Sequence, residues 1–170
     1  WLQNKSEGEG RKVKLIVSRD SLIQPLEEYL KNNGDGVLVD ISIQVAPEDS
    51  EERRILYGSG AAALATPGTV TLELALSGTP LVVATKPDFL TYILGSLFLK
   101  TRVFAMPNLL MEKTVIPEFI GLRSKKMASR ILIALEALDQ VSSRQLSMDL
   151  TERLSKGFIP DYYIDRLING

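Results

Sequence analysis

Thr66-Pro67-Gly68-Thr69-Val70-Thr71-Leu72-Glu73 is the stretch on which the reading of this chain turns. The small apolar run Ala61 to Ala65 before it reads as a buried strand. Leu74-Ala75-Leu76-Ser77-Gly78 after it reads as a short helix closed by glycine. A strand, a tight glycine turn and a helix start bring free backbone N–H groups and the positive end of a helix dipole to one point. Gly68 has no side chain to hold a phosphate away. Thr69 adds a hydroxyl and a helix-start N–H. Glu73, one turn inside the helix, is an acceptor suited to sugar hydroxyls. The segment therefore reads as a nucleotide or nucleotide-sugar site.

Outward from this stretch, strands alternate with helices. Val13 to Val17 reads as a strand, followed by a helix from Asp20 or Ser21 to about Asn32 with Leu22, Ile23, Leu26 and Leu30 on one face. Val37 to Val45 alternates as a half-buried strand. Pro47 suits the first turn of a helix reaching about Tyr57. Beyond the glycine turn, Pro80 to Ala84 is a short apolar strand, Asp88 to Lys100 a helix and Val103 to Ala105 a short strand. Pro107-Asn108 opens a loop to about Pro117, and Glu118 reads as a helix-start carboxylate. Ser124 to about Asp139 is a helix, Ser142 or Ser143 caps another to Leu154, and Tyr162 to Ile168 forms a last one. Short strands that are apolar on both faces and separated by helices indicate an α/β fold, a Rossmann-like three-layer parallel sheet with helices on both faces. The expected organisation is a polar lead-in over 1–11, one nucleotide-sugar-binding domain over 12–157 and a helical tail over 158–170. Ligands in such folds bind at the carboxyl ends of the strands.

Composition narrows the chemistry. The 170 residues are 45% hydrophobic with a formal charge of −1, enough for a core and without the basic surplus of a nucleic-acid partner. There is no cysteine and no histidine, so disulfides, thiolate metal sites and imidazole bases are excluded. No run reaches the length of a membrane span. Trp1 in place of Met suggests a piece of a longer protein.

Three features stand in a fixed order: Gly68-Thr69 with Leu72-Glu73; Pro80-Leu81-Val82-Val83; and Met106-Pro107-Asn108-Leu109-Leu110 followed by Val115-Ile116-Pro117-Glu118-Phe119. Together they resemble the carboxyl-terminal half of the lipid A disaccharide synthases, glycosyltransferases with two Rossmann-like domains (the GT-B architecture). The match is carried by Ala61 to Gly121. The resemblance implies a donor-binding domain lacking its first strand and helix, with no catalytic residue in this chain. It implies nucleotide contacts from Thr66, Gly68, Thr69, Glu73 and Asn108, with Lys86 and Lys100 as further cations toward phosphate. Pro67 stands where the family has Ser, and Thr66 is the nearest hydroxyl. The family's Gly-Ser-Arg turn is not found.

The implied reaction joins UDP-2,3-diacylglucosamine to 2,3-diacylglucosamine 1-phosphate. UDP-sugar is then a substrate, and no cofactor or metal is expected. The implied partners are the donor, the acceptor and a missing amino-terminal acceptor domain. The implied place is the cytoplasmic face of a Gram-negative inner membrane. An open sheet edge predicts self-association into a homo-oligomer. Phe89 to Leu99 reads either as a core helix or as an apolar surface toward lipid, flanked by Lys100 and Arg102. Plainer readings stand beside these: Asn108 as a turn former, Lys86 and Lys100 as surface charges. Another UDP-sugar transferase or epimerase of this fold, or a non-catalytic α/β module, also fits the residues.

Overall fold

A computed structural model describes residues 12–33, 40–85, 104–120 and 125–157. The chain divides into two compact units, Trp1–Arg53 and Arg54–Gly170.

In the first unit, β1 (Lys12–Val17) and β2 (Asp40–Val45) pair in parallel, with Lys12 opposite Asp40 and Val17 opposite Val45. Between them run a 3-10 turn, Asp20–Leu22, and α1 (Ile23–Asn33). Ile23, Leu26 and Leu30 are half-buried as their helical spacing requires, whereas Leu22, in the preceding turn, is exposed. Along β2, Ile41, Ile43 and Val45 are half-buried and the residues between them are exposed. Helix α2 (Ser50–Gly58) starts later than Pro47. Asp49 accepts the N–H groups of Glu51 and Glu52, each at 2.9 Å, and this carboxylate cap sets the start.

The second unit holds β3 (Ala63–Ala65), α3 (Thr69–Leu76), β4 (Leu81–Thr85), α4 (Met106–Met111), β5 (Glu118–Ile120), α5 (Lys125–Glu136) and α6 (Gln140–Ser155). The strands lie in the order β3-β4-β5, all parallel. Leu81, Val82 and Val83 are each 3% exposed or less. Successive strand side chains point to opposite faces, so both faces of β4 are covered. Leu81 and Val83 join Tyr57, Leu74, Ala75, Ala105, Leu110, Ile116 and Leu150 in one core. That core draws on α3, α4 and α6. Val82 lies on the other face with Ala84, whose register partner is Phe119. Helix α5 packs against β4 there, and its Arg130 guanidinium sits 5.5 Å from the centre of the Phe119 ring. Parallel strands with helices on both faces make this a Rossmann-like α/β arrangement.

Local expectations change in four places. The strand expected over Ala61 to Ala65 is only three residues long, and Leu64, on the Val82 face, is 55% exposed. Phe104 and Ala105, expected in a strand, are not in one: Ala105 caps α4 in place of the expected loop. Pro107 fits that helix because its first turn needs no N–H from it. Glu118 opens β5 instead of a helix. The Pro117 carbonyl accepts the Val83 N–H at 2.9 Å, so pairing with β4 overrides the local helix signal. Helix α6 is capped by Asp139, not by Ser142 or Ser143: its carboxylate accepts the N–H groups of Val141 at 3.2 Å and Ser142 at 2.8 Å. An ionised cap at the positive end of the dipole is the stronger one. The helices expected over 88–100 and 162–168 lie outside the described residues, as do Lys86, Lys100 and the expected lead-in over 1–11 and tail over 158–170.

Two outcomes follow from this packing. Leu150 is fully buried in the core, so Leu150→Ala is expected to lower stability by about 2–5 kcal/mol in urea denaturation. The backbone and hydroxyl hydrogen bonds from Ser142, with the Val141 N–H, hold the Asp139 carboxyl below its ordinary 3.8. A lowered carboxyl pKa contributes stability above the unfolded value and loses it as pH falls through the folded one. Asp139→Ala is therefore expected to depress the denaturation midpoint at pH 7, with the deficit closing below pH 3.8.

Candidate functional site

The loop leaving β3 turns at Gly68 into α3. Gly68 has φ +148° and ψ −174°, a conformation open essentially to glycine alone. Among the described residues, a Cβ placed there would meet no atom within 4 Å. The first N–H groups of a helix have no acceptor within it. Thr71 N–H returns to the Gly68 carbonyl at 3.1 Å, while no described residue accepts from Thr69 or Val70 N–H. These two donors and the dipole form an open helix mouth at the carboxyl end of β3.

Helix geometry sorts α3 into two sides. Thr71, Leu74 and Ala75 are buried toward the core. Thr69 is exposed and Glu73 half-buried on the opposite side. Four residues apart, these two lie one above the other on one helix face. Thr66 and Gly68 are exposed ahead of them, with Pro67 half-buried. The structure thus brings Thr66, Gly68, Thr69 and Glu73 to one open end of α3.

Asn108 is placed differently. It is 1% exposed, in the first turn of α4. Its Nδ2 donates to the Ile116 carbonyl at 2.8 Å and to the Glu118 carboxylate at 2.5 Å. Its Oδ1 accepts Val115 N–H at 2.7 Å and Ile116 N–H at 2.8 Å. An amide offers two donors and two acceptor positions, and all four are taken. In this structure Asn108 staples α4 to the segment entering β5. It is also a helix residue and not the turn former of the plainer reading.

Two residues that the sequence did not place in the site, Thr71 and Glu118, make long-range hydrogen bonds nearby. Thr71, fully buried, donates its hydroxyl to the Gly68 carbonyl at 2.7 Å. The same oxygen accepts Met106 N–H at 3.3 Å, joining the glycine turn to the start of α4. Glu118 accepts Phe104 N–H at 2.9 Å and Ala105 N–H at 3.0 Å. A threonine three residues after the turn glycine is the local signal for the first. Nothing local signals the second, because its partners lie 13 and 14 residues away in the chain.

The far end of α4 carries a separate groove of about 330 Å³, lined by Met111, Asp149, Glu152, Arg153 and Lys156. There Arg153 donates to the Leu110 carbonyl and lies 4.0 Å from the Glu112 carboxylate. Among the described residues no group of acidic side chains is arranged to hold a metal ion. No helix among them is long and apolar enough to cross a membrane.

The family model described as lipid-A-disaccharide synthetase matches residues 30–159, a span that includes the glycine turn, Asn108 and Glu118. The chain is 33% identical over 144 residues to the lipid-A-disaccharide synthase of Ruegeria pomeroyi, covering 83% of this chain and 34% of that protein. It is 32% identical over 142 residues to that of Histophilus somni, covering 78% and 36%. For the Rickettsia conorii protein the figures are 35% over 102 residues, 56% and 23%. The chain therefore spans roughly a quarter to a third of the length of these relatives. No solved structure matches it.

The saturated amide has a measurable consequence. Asn108→Ala leaves Val115 and Ile116 N–H without their acceptor in a buried place. Each buried unsatisfied group costs about 1–3 kcal/mol, so a loss of about 2–5 kcal/mol is expected in urea denaturation.

Proposed function

The chain belongs to the lipid-A-disaccharide synthetase family, and we propose that it forms the UDP-sugar-binding part of a glycosyltransferase of lipid A synthesis. The observation that carries this reading is the open mouth of α3. Two backbone N–H groups without a described acceptor, at Thr69 and Val70, share one helix end with a carboxylate at Glu73. In the proposed pose the diphosphate of UDP sits on the mouth, Thr66 and Thr69 offer hydroxyls to it, and Glu73 accepts from the ribose hydroxyls. Lys86 and Lys100 are assigned as further cations toward phosphate.

The donor assigned is UDP-2,3-diacylglucosamine and the acceptor 2,3-diacylglucosamine 1-phosphate. An acceptor hydroxyl attacks the anomeric carbon as the bond from that carbon to the diphosphate oxygen breaks. Negative charge builds on the departing UDP, and fixed N–H dipoles aimed at it stabilise that charge without reorganising. The dipole contribution is on the order of 1 kcal/mol. The hydroxyl proton passes to a base that we place in the part of the relatives' length these residues do not span. The same part supplies the acceptor site, so the chain alone is expected to bind and not to turn over. No cofactor or metal enters the proposal. Acylated substrates place the enzyme at a membrane surface, the cytoplasmic face of the inner membrane.

Titration of UDP into the isotopically labelled chain tests this directly. A saturable shift of the Gly68 and Thr69 amide resonances is expected. Glu73→Ala is expected to weaken binding about ten- to a hundredfold, since hydrogen bonds to a charged acceptor contribute about 1.5–3 kcal/mol. No shift at those amides with millimolar UDP would remove the donor assignment.

A further inference from the structure

Three consecutive backbone N–H groups at the start of α4 are held by side chains from elsewhere in the second unit. Phe104 and Ala105 donate to the two carboxylate oxygens of Glu118, at 2.9 and 3.0 Å. Met106 donates to Thr71, which in turn donates to the Gly68 carbonyl. Successive N–H groups around an anion form a nest, and here the anion is the protein's own carboxylate. Asn108 Nδ2 closes on the same carboxylate from the next turn. A path of hydrogen bonds thus runs from Glu118 through the Phe104–Met106 backbone and Thr71 to the carbonyl of the turn glycine.

We propose that Glu118 is a positioning residue for the helix mouth: its carboxylate sets the start of α4, and through Met106 and Thr71 it fixes the orientation of the Gly68 turn. It touches no ligand in this role. The inference rests on the donor-site reading of the mouth. Three features argue for it. Glu118 is an ionisable side chain, half-buried, yet among the described residues its partners are three N–H donors and no cation. Thr71 is 0% exposed, so its hydroxyl has no competition from water and the link it makes is stiff. Gly68 at φ +148° has the wide conformational freedom of glycine, so which single turn it makes is set by bonds such as the one its carbonyl accepts from Thr71. Gln at 118 keeps the size but turns one acceptor oxygen into a donor facing N–H groups. Val at 71 keeps the shape and removes the hydroxyl.

The test compares E118Q, T71V and the double variant with the unsubstituted chain by UDP titration followed at the Gly68 and Thr69 amides. R153A serves as a control that loosens the opposite end of α4. Urea denaturation selects a temperature at which every variant is folded. E118Q and T71V are each expected to weaken UDP binding about five- to tenfold and to shift the Thr69 and Val70 amides without ligand. The double variant is expected to be no weaker than the worse single one, because both cut the same path. R153A is expected to lower stability with UDP affinity unchanged. If E118Q binds UDP as the unsubstituted chain does, or R153A weakens binding equally, the positioning role is overturned and the donor reading stands. If the unsubstituted chain itself does not bind UDP, the donor reading fails and this inference falls with it. Should a variant not fold, E118D, whose shorter side chain keeps the charge but draws back from the N–H groups, takes its place with the same expected loss.

Discussion

Leu81, Val82 and Val83 leave water almost completely, and strand alternation sends them to opposite sides. A strand buried on both faces needs cover on both. That need places α3, α4 and α6 against Leu81 and Val83, and α5 against the Val82 side. Pairing on both edges of β4 then satisfies its backbone and sets β3 and β5 in parallel beside it. With β3 so placed, the loop after Ala65 emerges at the carboxyl edge, where α3 must begin. The open helix mouth is thus a consequence of how β4 is buried.

Polar groups hold the details that apolar burial leaves loose. A hydrophobic core is indifferent to small rotations of a short helix such as α4, whereas hydrogen bonds are directional. Asn108, Glu118 and Thr71 supply those directions, with bonds reaching across 8 to 35 residues of chain. Among the described residues no buried side-chain nitrogen or oxygen lacks a partner. The network is therefore complete, which is the condition under which buried polar groups favour one arrangement over others.

Membership of the lipid-A-disaccharide synthetase family and the geometry of α3 bear on each other. The family indicates what kind of ligand to consider. The geometry leaves Thr66, Gly68 and Thr69 exposed at the start of α3, with Glu73 half-buried one turn on and Asn108 turned inward. Asn108 and Glu118, both within the motif, are bonded to backbone N–H groups of the segments around them.

Local pattern alone determined the alternation of strands and helices, the turn at Gly68, the placing of Thr69 and Glu73 on one face of α3, and the half-buried face of β2. Each depends on residues a few positions apart, through helical or strand periodicity and the conformational freedom of glycine. Only the tertiary structure decided that Met106–Met111 is a helix, that Glu118 opens a strand, and that the Asn108 amide faces inward. The free energy behind those outcomes comes from partners distant in sequence: β4 offers Glu118–Ile120 a backbone ladder, and Glu118 offers Phe104 and Ala105 an acceptor. Such pairings outweigh local propensities worth only tenths of a kcal/mol per residue.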